Sequence, residues 1–342
     1  MSNIKGIAKS FGLSDALTAS AEERELLKWL DSSLAAIEAG LDANLHYADR
    51  LADTTARYLL GAGGKRIRPL LTLLTAEYGN RGDERVALSA EVVEMIHLAT
   101  LYHDDVMDSA DLRRGVPASH TVWGNNVAIL TGDLLFARAS VLASELGDEI
   151  LRLQARTFER LCLGQLHETT GPAADDNPVE HYIQVLADKT GSLISASAQL
   201  GILASNGPRE YLVPLTTFGE TIGVAFQLID DVIDLNGDVT GKPKGTDVRN
   251  GVRTLPILKL RAATDPESVE LTADLDAALA APETADFDTI IDRIRASAHT
   301  SATVREAEEW GARATSALDE LPDVLPTRAL RRFADRVLHR EL

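Results

Sequence analysis

The chain has 342 residues, of which 45% are hydrophobic and 25% are charged. This balance is typical of a globular protein with a sizeable core and excludes a mainly disordered chain. Acidic residues outnumber basic residues by 52 to 34, which gives a net charge of −18. The chain therefore lacks the basic surface that binding to nucleic acid requires.

Apolar residues recur at three- and four-residue intervals over long segments, which is typical of amphipathic helices. Ser20 and Glu23 have the spacing of a capping box at the start of the first segment. The predicted helices cover residues 26–41, 86–106, 127–146, 150–169, 178–204, 212–235 and 257–263. No segment alternates with a period of two, so strands are not required, and the acidic stretch 264–292 predicts a solvated helical periphery. The sequence therefore predicts one all-α domain over residues 1–342.

Cysteine content and hydropathy indicate where the protein works. Cys162 is the only cysteine, so an intrachain disulfide is impossible and a reducing compartment is favoured. No uninterrupted apolar run reaches transmembrane length, and residues 1–12 lack the apolar centre of a signal peptide. We therefore expect a soluble cytoplasmic protein without a transmembrane segment.

Two acidic segments share the pattern DDxxD, and each follows a strongly apolar helical turn. The first and last aspartates of each segment are four residues apart, so they share a helical face with a rise of about 6 Å. Carboxylates this close repel one another unless a cation neutralises them, and oxygen ligands with room for water and phosphate suit Mg²⁺. Two solvated acidic helix ends are the alternative, but the repetition favours metal binding. The candidate residues are Asp104, Asp105, Asp108, Asp230, Asp231 and Asp234.

Basic residues stand at particular places that could attract an anionic substrate to these clusters. The segment GGKRIRP places Lys65 and Arg68 beside a helix N-terminus, which is a common phosphate site. Arg113 and Arg114 follow the first acidic segment closely. A basic surface turn and a solvated arginine pair explain these residues equally well when each is taken alone.

Several polar residues align with the acidic segments at helical spacing. His97 precedes Asp104 by two helical turns, and Gln227 precedes the second acidic segment by three residues. Lys189 and Thr190 come directly before a glycine that invites a kink in a continuous helix. A core histidine, a surface amide and an exposed Lys-Thr pair are the alternatives. Lys242, Lys244 and Asp247 lie in a glycine-punctuated loop that ordinary solvation would also explain.

Taken together, the motifs resemble those of the trans-isoprenyl diphosphate synthases, the polyprenyl synthetase family. GGKRIRP, HDDVMD with LRRG, GDLLFARA, DKTG, FQLIDDVID and GKPKGTDVRNG with TLP follow in the family's order over residues 63–256. Compatible helical flanks lie on both sides. The resemblance implies a bundle of long helices around a deep central cavity. Members of this family are usually homodimers.

The resemblance also implies a reaction and its ligands. Family members join isopentenyl diphosphate head to tail to an allylic diphosphate with Mg²⁺, here expected as three ions per active site. Metal binding falls to Asp104, Asp108 and Asp230, with Asp105, Asp231 and Asp234 beside them. The allylic diphosphate falls to Arg113, Lys189, Thr190, Gln227 and Lys242, and isopentenyl diphosphate to Lys65, Arg68, His97 and Arg114. Gln165 and Glu168 resemble a family pair near the metals.

The same resemblance implies that the length of the prenyl product depends on which side chains close the far end of the cavity. Ala99 and Thr100 are small, whereas short-chain relatives carry bulky aromatics there. The growing chain would then pass toward the helix predicted at 127–146, where Phe136 is either a deeper stop or core packing, and Tyr102 could narrow the channel. We expect a long product, hexaprenyl to decaprenyl, with geranylgeranyl as the alternative.

Two other functions compete with that of a polyprenyl diphosphate synthase, namely a class I terpene cyclase and a non-catalytic synthase subunit. Both would leave the complete basic and acidic sets unexplained.

Overall fold

The computed structural model describes residues 20–237 and 244–339, and this part of the chain is almost wholly helical. Its elements, numbered here in chain order, are α1 Ala21–Asn44, α2 Arg50–Gly61, α3 Ile67–Ala76, α4 Glu84–Met107, β1 Leu112–Arg113, β2 Val116–Pro117, α5 Ser119–Trp123, α6 Asn125–Glu145, α7 Asp148–Thr170, α8 Pro178–Leu186, α9 Ser192–Ala204, α10 Leu212–Asp234, α11 Thr246–Arg249, α12 Leu255–Ala262, α13 Pro266–Ala280, α14 Phe287–Ala296, α15 Ala298–Ala317 and α16 Leu325–Leu338. Short 3₁₀ turns lie at Arg209–Tyr211, Pro282–Thr284 and Leu318–Glu320. The prediction of an all-α fold is confirmed.

The seven predicted helices are all present, with small shifts at their ends. The capping box at Ser20 and Glu23 forms as expected, with each side chain bonded to the other residue's backbone N–H. One helix departs from the expectation, because a single π-turn at Ala187–Gly191 separates α8 from α9. The only strands in the described residues form a two-residue antiparallel hairpin, in which Leu112 pairs with Pro117.

The core lies between long helices that run through the middle of the bundle. Helix α10 packs most extensively on α15, α4 packs on α6, and α9 packs on both α3 and α10. The buried residues of α4, α9 and α10 are mostly apolar and of small or medium size. Both acidic segments therefore stand at the C-terminal ends of deeply buried helices, α4 and α10.

The acidic stretch 264–292 is helical, as expected, but it is not only a solvated periphery. Helices α13 and α14 bury Leu271, Leu275, Ile291 and Ile294 in a second apolar cluster, separate from the main core. The overall acidity of this stretch conceals the apolar stripe in each helix. The prediction of one domain over residues 1–342 stays a prediction.

Two segments are long and apolar enough to cross a membrane by length and composition, α6 and Arg209–Asp234. Each packs against other helices of the bundle, and 44% and 61% of their most apolar windows are buried. Core helices of water-soluble proteins have these properties too.

Candidate active site

The first acidic cluster lies at the end of α4, where Asp104 and Asp108 share one face. Asp104 is half-buried and Asp108 is exposed at the helix end. Burial raises the pKa of Asp104 from 3.8 to about 6, with a smaller rise from the charge of Asp108, while the Lys189 ammonium lowers it. A carboxylate whose charge is disfavoured in this way gains most from a nearby cation.

Asp105 lies on a different face of α4 and has a protein partner. It is fully buried, and its Oδ1 accepts hydrogen bonds from Arg113, with the Nη2–Oδ1 distance at 2.6 Å. Burial raises the pKa of Asp105, and the Arg113 guanidinium opposes that rise. Its other carboxylate oxygen, Oδ2, is buried without a hydrogen-bond partner. The sequence placed Asp105 beside the proposed metal ligands Asp104 and Asp108, and in the structure it binds Arg113.

The second acidic cluster, at the end of α10, divides in the same way. Asp231 is buried, and both of its carboxylate oxygens accept hydrogen bonds from the Tyr182 hydroxyl, at 3.0 and 2.8 Å. Its Oδ2 also accepts from the Leu255 N–H at 3.3 Å. Burial raises the pKa of Asp231 well above its ordinary value, although the bond from Tyr182 opposes the rise. Asp231 therefore joins α10 to α8 and α12.

The flanking aspartates of this cluster are more open. Asp230 and Asp234 are both half-buried. The Oδ2 atom of Asp234 accepts a hydrogen bond from the Asp247 N–H at 3.0 Å, and its carbonyl accepts from the Gly245 N–H at 2.8 Å. Asp234 thus holds the loop that enters α11 against the end of α10.

An ion pair lies within electrostatic range of both acidic clusters. Lys189, in the π-turn, donates from its ammonium to the Glu168 carboxylate on α7. The charge of Glu168 raises the pKa of Asp104 in the first cluster and that of Tyr182, the partner of Asp231, in the second. Glu168 therefore acts electrostatically on Asp104 in the first cluster and on the partner of Asp231 in the second, although the two acidic segments are more than a hundred residues apart in sequence.

Three other predicted residues lie close in sequence to this pair or to the second acidic cluster. Thr190 follows Lys189 in the π-turn and is half-buried, as is Gln227, one turn before Asp230 on α10. Gln165, one turn before Glu168, has its side-chain oxygen buried without a hydrogen-bond partner. Lys242 lies outside the described residues, and Lys244 donates to Asp292 on α14 at 2.5 Å.

Arginines from α3 and from the hairpin gather around His97 on α4. The pKa of His97 is lowered well below its ordinary value, chiefly by burial and further by the charges of Arg68, Arg114, Arg66 and Arg113. His97 is consequently neutral at pH 7. Arg68 and Arg114 thus act electrostatically on His97, whereas the side chain of Lys65, one residue before Arg66, is exposed.

Arg68 is the least satisfied member of this group. Its Nε atom is buried without a hydrogen-bond partner. Burial lowers the pKa of Arg68 to about 10, and the neighbouring charge of Arg114 lowers it further, although Glu94 opposes this. A buried guanidinium with an unused N–H group is poised to receive an anion.

Arg66 and Arg114, in contrast, are bonded to the protein. Arg66 is buried and donates to Glu38 and, at 2.9 Å, to Glu94. Arg114 donates to the backbone carbonyls of Gly63 and, at 3.1 Å, of Leu59. These bonds fix the GGKRIRP segment against α1, α4 and the hairpin.

Gly64 permits this close approach. Its φ of +149° lies outside the region most side chains adopt, and a Cβ there would lie 2.8 Å from Arg66 Nη1 and 2.9 Å from Arg114 Cζ. The second glycine of the motif therefore leaves space for two guanidinium groups, whereas a Cβ at Gly63 would meet nothing within 4 Å.

The residues predicted to control product length lie before Asp104 on α4. Ala99 is fully buried and Thr100 is half-buried, with its hydroxyl donating to the His97 carbonyl at 2.8 Å. Tyr102 is also fully buried, but its hydroxyl donates to the Thr55 carbonyl and accepts from the Leu59 N–H at 3.2 Å. It is tied to α2.

Phe136 on α6 belongs to a small aromatic group. Its ring centroid lies 3.9 Å from that of Phe158 on α7 and 5.8 Å from that of His103 on α4. This group joins α4, α6 and α7.

The donor set suits Mg²⁺ in its chemistry. The two acidic segments supply carboxylate oxygens only, which are the ligands this ion prefers. Across residues 20–237 and 244–339, however, no three acidic, histidine or cysteine side chains are close enough to hold a metal by themselves. A site of this kind is completed by water and substrate phosphate, as is common for Mg²⁺.

Sequence reasoning missed the groups that hold the predicted residues in place. Tyr182 binds Asp231, and Arg160 and Gln184 bind Asp188, which directly precedes Lys189. Asp188 could have been found, because an acidic residue within a predicted helix and beside a candidate lysine requires a partner when buried. Arg160 and Tyr182 carry no comparable signal in the sequence.

Comparisons with known proteins agree with this fold and site. The sequence profile of the polyprenyl synthetase family matches residues 49–290. A nonaprenyl diphosphate synthase of Mycobacterium tuberculosis is 41% identical over 312 residues, which cover 90% of this chain and 92% of that protein.

Solved structures are similar over nearly their whole length. A polyprenyl synthase of Caulobacter crescentus, in complex with calcium and isoprenyl diphosphate, superposes with a TM-score of 0.83 at 30% identity. The match covers 93% of this chain and 97% of that one. A geranylgeranyl pyrophosphate synthase of Corynebacterium glutamicum, also complexed with calcium and isoprenyl diphosphate, gives 0.80 at 37% identity, over 92% and 96%.

An all-α bundle with an acidic segment at the end of each of two buried helices is the architecture of an isoprenoid synthase. The chain belongs to the polyprenyl synthetase family. The resemblance seen in the motif order, and with it the expectation of a trans-prenyltransferase, is confirmed.

Proposed function

We propose that the protein condenses isopentenyl diphosphate head to tail with an allylic diphosphate, giving an all-trans polyprenyl diphosphate. The Lys189–Glu168 pair, within electrostatic range of both acidic clusters, is the observation that carries the proposal. A cation within electrostatic range of both carboxylate clusters is suited to a polyanionic leaving group such as diphosphate. The calcium and isoprenyl diphosphate in the Caulobacter crescentus structure are consistent with such a ligand.

Asp104, Asp108 and Asp230 would hold Mg²⁺ together with oxygens of the allylic diphosphate, and we propose three ions for each site. When bound, Mg²⁺ neutralises charge that develops on the leaving diphosphate. Asp105, Asp231 and Asp234 support the ligands through their bonds to Arg113, Tyr182 and the α11 loop.

The chain's own cations act on the same charge. Breaking the allylic C–O bond separates a delocalised carbocation from diphosphate. Lys189, Arg113 and Lys242 would stabilise the diphosphate, with Thr190 and Gln227 beside the bond that breaks. Water has to be kept from the cation during this step, because it would otherwise trap the cation as an alcohol.

Isopentenyl diphosphate would bind at the arginine group around His97. Arg68 offers an unused buried N–H group, and Lys65 and Arg114 add charge. The neutral His97 imidazole can donate one hydrogen bond to a phosphate oxygen. Fixed in this way, the double bond attacks the allylic cation and a proton then leaves to the diphosphate.

The direct test is incubation of the purified protein with Mg²⁺, isopentenyl diphosphate and each of several allylic primers. We expect extractable polyprenyl products and release of pyrophosphate without any added protein. Cyclic hydrocarbon products, or activity only with a second protein, would contradict the proposal.

We propose a long product, hexaprenyl to decaprenyl, although relatives of both long and geranylgeranyl specificity are similar to this chain. Ala99 and Thr100 have small side chains on α4, and Tyr102 is held against α2. Phe136, which packs against Phe158, is then the next side chain that could stop the growing prenyl chain.

Two substitutions test this order of obstacles. Ala99→Phe should shorten the products, whereas Phe136→Ala should lengthen them, and chain lengths are read by chromatography of the dephosphorylated lipids. Val213→Phe, at a 71% exposed position at the start of α10, serves as the control and should leave the product pattern unchanged. If Ala99→Phe and Phe136→Ala both gave products of unaltered length, other residues would limit the length of the product.

We further propose a homodimer that works in the cytoplasm as a soluble enzyme. Leu130, Ala137 and Val141 lie on one exposed face of α6, and Leu130 and Val141 are 65% and 53% exposed. Apolar side chains in line on one helix are typical of a surface that a partner covers.

A further inference from the structure

The π-turn at Ala187–Gly191 presents Lys189 and Thr190, and it is held by a network around Asp188. A π-turn contains one residue more than an α-helical turn, so it rotates the side chains that follow relative to those before it. Here the Ser192 N–H bonds to the Ala187 carbonyl, five residues back. Such turns are often functional and depend on neighbouring groups for their shape.

Asp188 is buried in the middle of this turn, and each of its carboxylate oxygens has a partner. Its Oδ1 accepts from Arg160 Nε on α7 at 2.8 Å, and its Oδ2 accepts from Gln184 Nε2 on α8 at 2.8 Å. Its carbonyl accepts a hydrogen bond from the Ser192 hydroxyl at 2.5 Å.

Arg160 extends the network to a third helix. Its Nη1 atom donates to Glu220 on α10, the helix that carries Gln227 and Asp230. One guanidinium therefore joins the π-turn to α7 and α10. Lysine could not replace it, because a single ammonium lacks the planar fork that reaches two carboxylates in fixed directions.

One face of α7 accommodates the turn. Arg160, Gly164 and Glu168 follow at four-residue intervals, so they share that face. A Cβ at Gly164 would lie 2.9 Å from the Asp188 Cβ and 3.0 Å from the Lys189 backbone nitrogen. Arg160 binds the residue before Lys189, and Glu168 binds the Lys189 ammonium itself.

We infer that Arg160, through Asp188, is a positioning residue that sets where Lys189 and Thr190 meet the allylic diphosphate. Arg160 also pairs with both Asp188 and Glu220, so it neutralises two carboxylates at the π-turn and on the helix packed against it. The inference rests on the proposed function.

The test compares the full-length wild type with Arg160→Met, Arg160→Lys and Asp188→Asn in steady-state kinetics. We expect each variant to lower kcat by about 100-fold, because small displacements of a charged group are this costly in the transition state. The KM for isopentenyl diphosphate should stay within about twofold, because that substrate is assigned to α3 and α4. Arg156→Met, an exposed arginine one turn earlier on α7, is the matched control and should behave as wild type.

A double-mutant cycle separates positioning from general damage. If Arg160 acts through Lys189, then Arg160→Met combined with Lys189→Ala should lose no more activity than Lys189→Ala alone, within about twofold. A double variant that shows the product of the two single losses would overturn the inference.

These variants distinguish failure of the inference from failure of the proposed function and from unfolding of the protein. Normal kcat in Arg160→Met with active wild type overturns the inference alone, whereas an inactive wild type overturns the proposed function and the inference with it. Should Arg160→Met unfold below the assay temperature, Arg160→Lys and Asp188→Asn decide, and normal kcat in both of them would overturn the inference.

Discussion

The two aspartates that begin each DDxxD segment have different surroundings. Asp104 and Asp230 are half-buried, whereas Asp105 and Asp231 are buried and accept hydrogen bonds from Arg113 and Tyr182. A rotation of about 100° per residue puts adjacent side chains on different helical faces, so this division follows from helix geometry. The sequence could predict that the two would differ, but their partners come from other elements and could not be predicted.

Asp104 gives a pH dependence that can be measured on the protein without metal. Its pKa is about 6 in the folded protein against 3.8 ordinarily, so the folded state binds more protons between these pH values. Its contribution to the free energy of unfolding therefore falls as the pH rises through this window. We expect Asp104→Asn, in chelator, to unfold at a higher temperature than wild type at pH 7, with the difference shrinking toward pH 4.

Thermal unfolding followed by circular dichroism at several pH values checks this expectation. Asp175→Asn, in the exposed loop before α8, is the control and should show no such pH-dependent difference. Destabilisation of Asp104→Asn at pH 7 would contradict the assigned environment.

Substitution of Arg68 should affect the thermal stability of the protein and its binding of isopentenyl diphosphate differently. Burial and the charge of Arg114 disfavour its guanidinium, so Arg68→Met should leave the melting temperature unchanged or raise it. The same variant should raise the KM for isopentenyl diphosphate by about 10-fold or more, because a charge-assisted hydrogen bond is lost. Arg156→Met should change neither quantity, and a large fall in melting temperature for Arg68→Met would show a structural role instead.

At the scale of elements, the interruption between α8 and α9 was predictable and its form was not. Gly191 marked the position in the sequence, but the π-turn depends on contacts with α7 and α10. A Cβ at Gly191 would lie 2.8 Å from the Glu220 carbonyl oxygen, and one at Gly223 would lie 2.5 Å from the Gly191 Cα. The backbones of the π-turn and α10 are in direct contact here, so an added Cβ could not be accommodated by movement of a flexible side chain.

Gly223→Ala tests this close approach. We expect it to lower the free energy of unfolding by about 1–3 kcal/mol, because α10 must move away from the π-turn. Gly61→Ala is the control, since a Cβ at this last residue of α2 meets nothing within 4 Å. Chemical denaturation measures both variants, and equal stability of the two would contradict the packing described here.

At the scale of the whole molecule, hydrophobic periodicity predicted the long helices up to α10, but α15, on which α10 packs most extensively, was expected only as part of a helical flank. Periodicity missed α2, whose polar residues hide a narrow apolar stripe that includes Leu59 and Leu60. It also read the acidic stretch 264–292 as periphery, although α13 and α14 bury a cluster of their own. Site residues were recognisable because their motifs are local, whereas Arg160, Gln184 and Tyr182 act through contacts between distant segments.

The exposed face of α6 predicts the oligomeric state. Wild type should sediment at about twice the chain mass of 36.9 kDa, and Leu130→Glu with Val141→Glu should sediment as a monomer because charge replaces the apolar contact. Val213→Glu, at a 71% exposed position at the start of α10, should remain a dimer. A monomeric wild type would contradict the proposed homodimer.

The most direct test of the account is whether both acidic clusters hold one magnesium-bound diphosphate. Calorimetry should compare Mg²⁺-dependent binding of an unreactive allylic diphosphate analogue to wild type, Asp104→Asn, Asp230→Asn and the double variant. We predict that each single variant weakens binding strongly and that the double variant loses much less than the sum of the two free-energy losses. Wild-type affinity in either single variant, or strictly additive losses, would contradict a shared ligand.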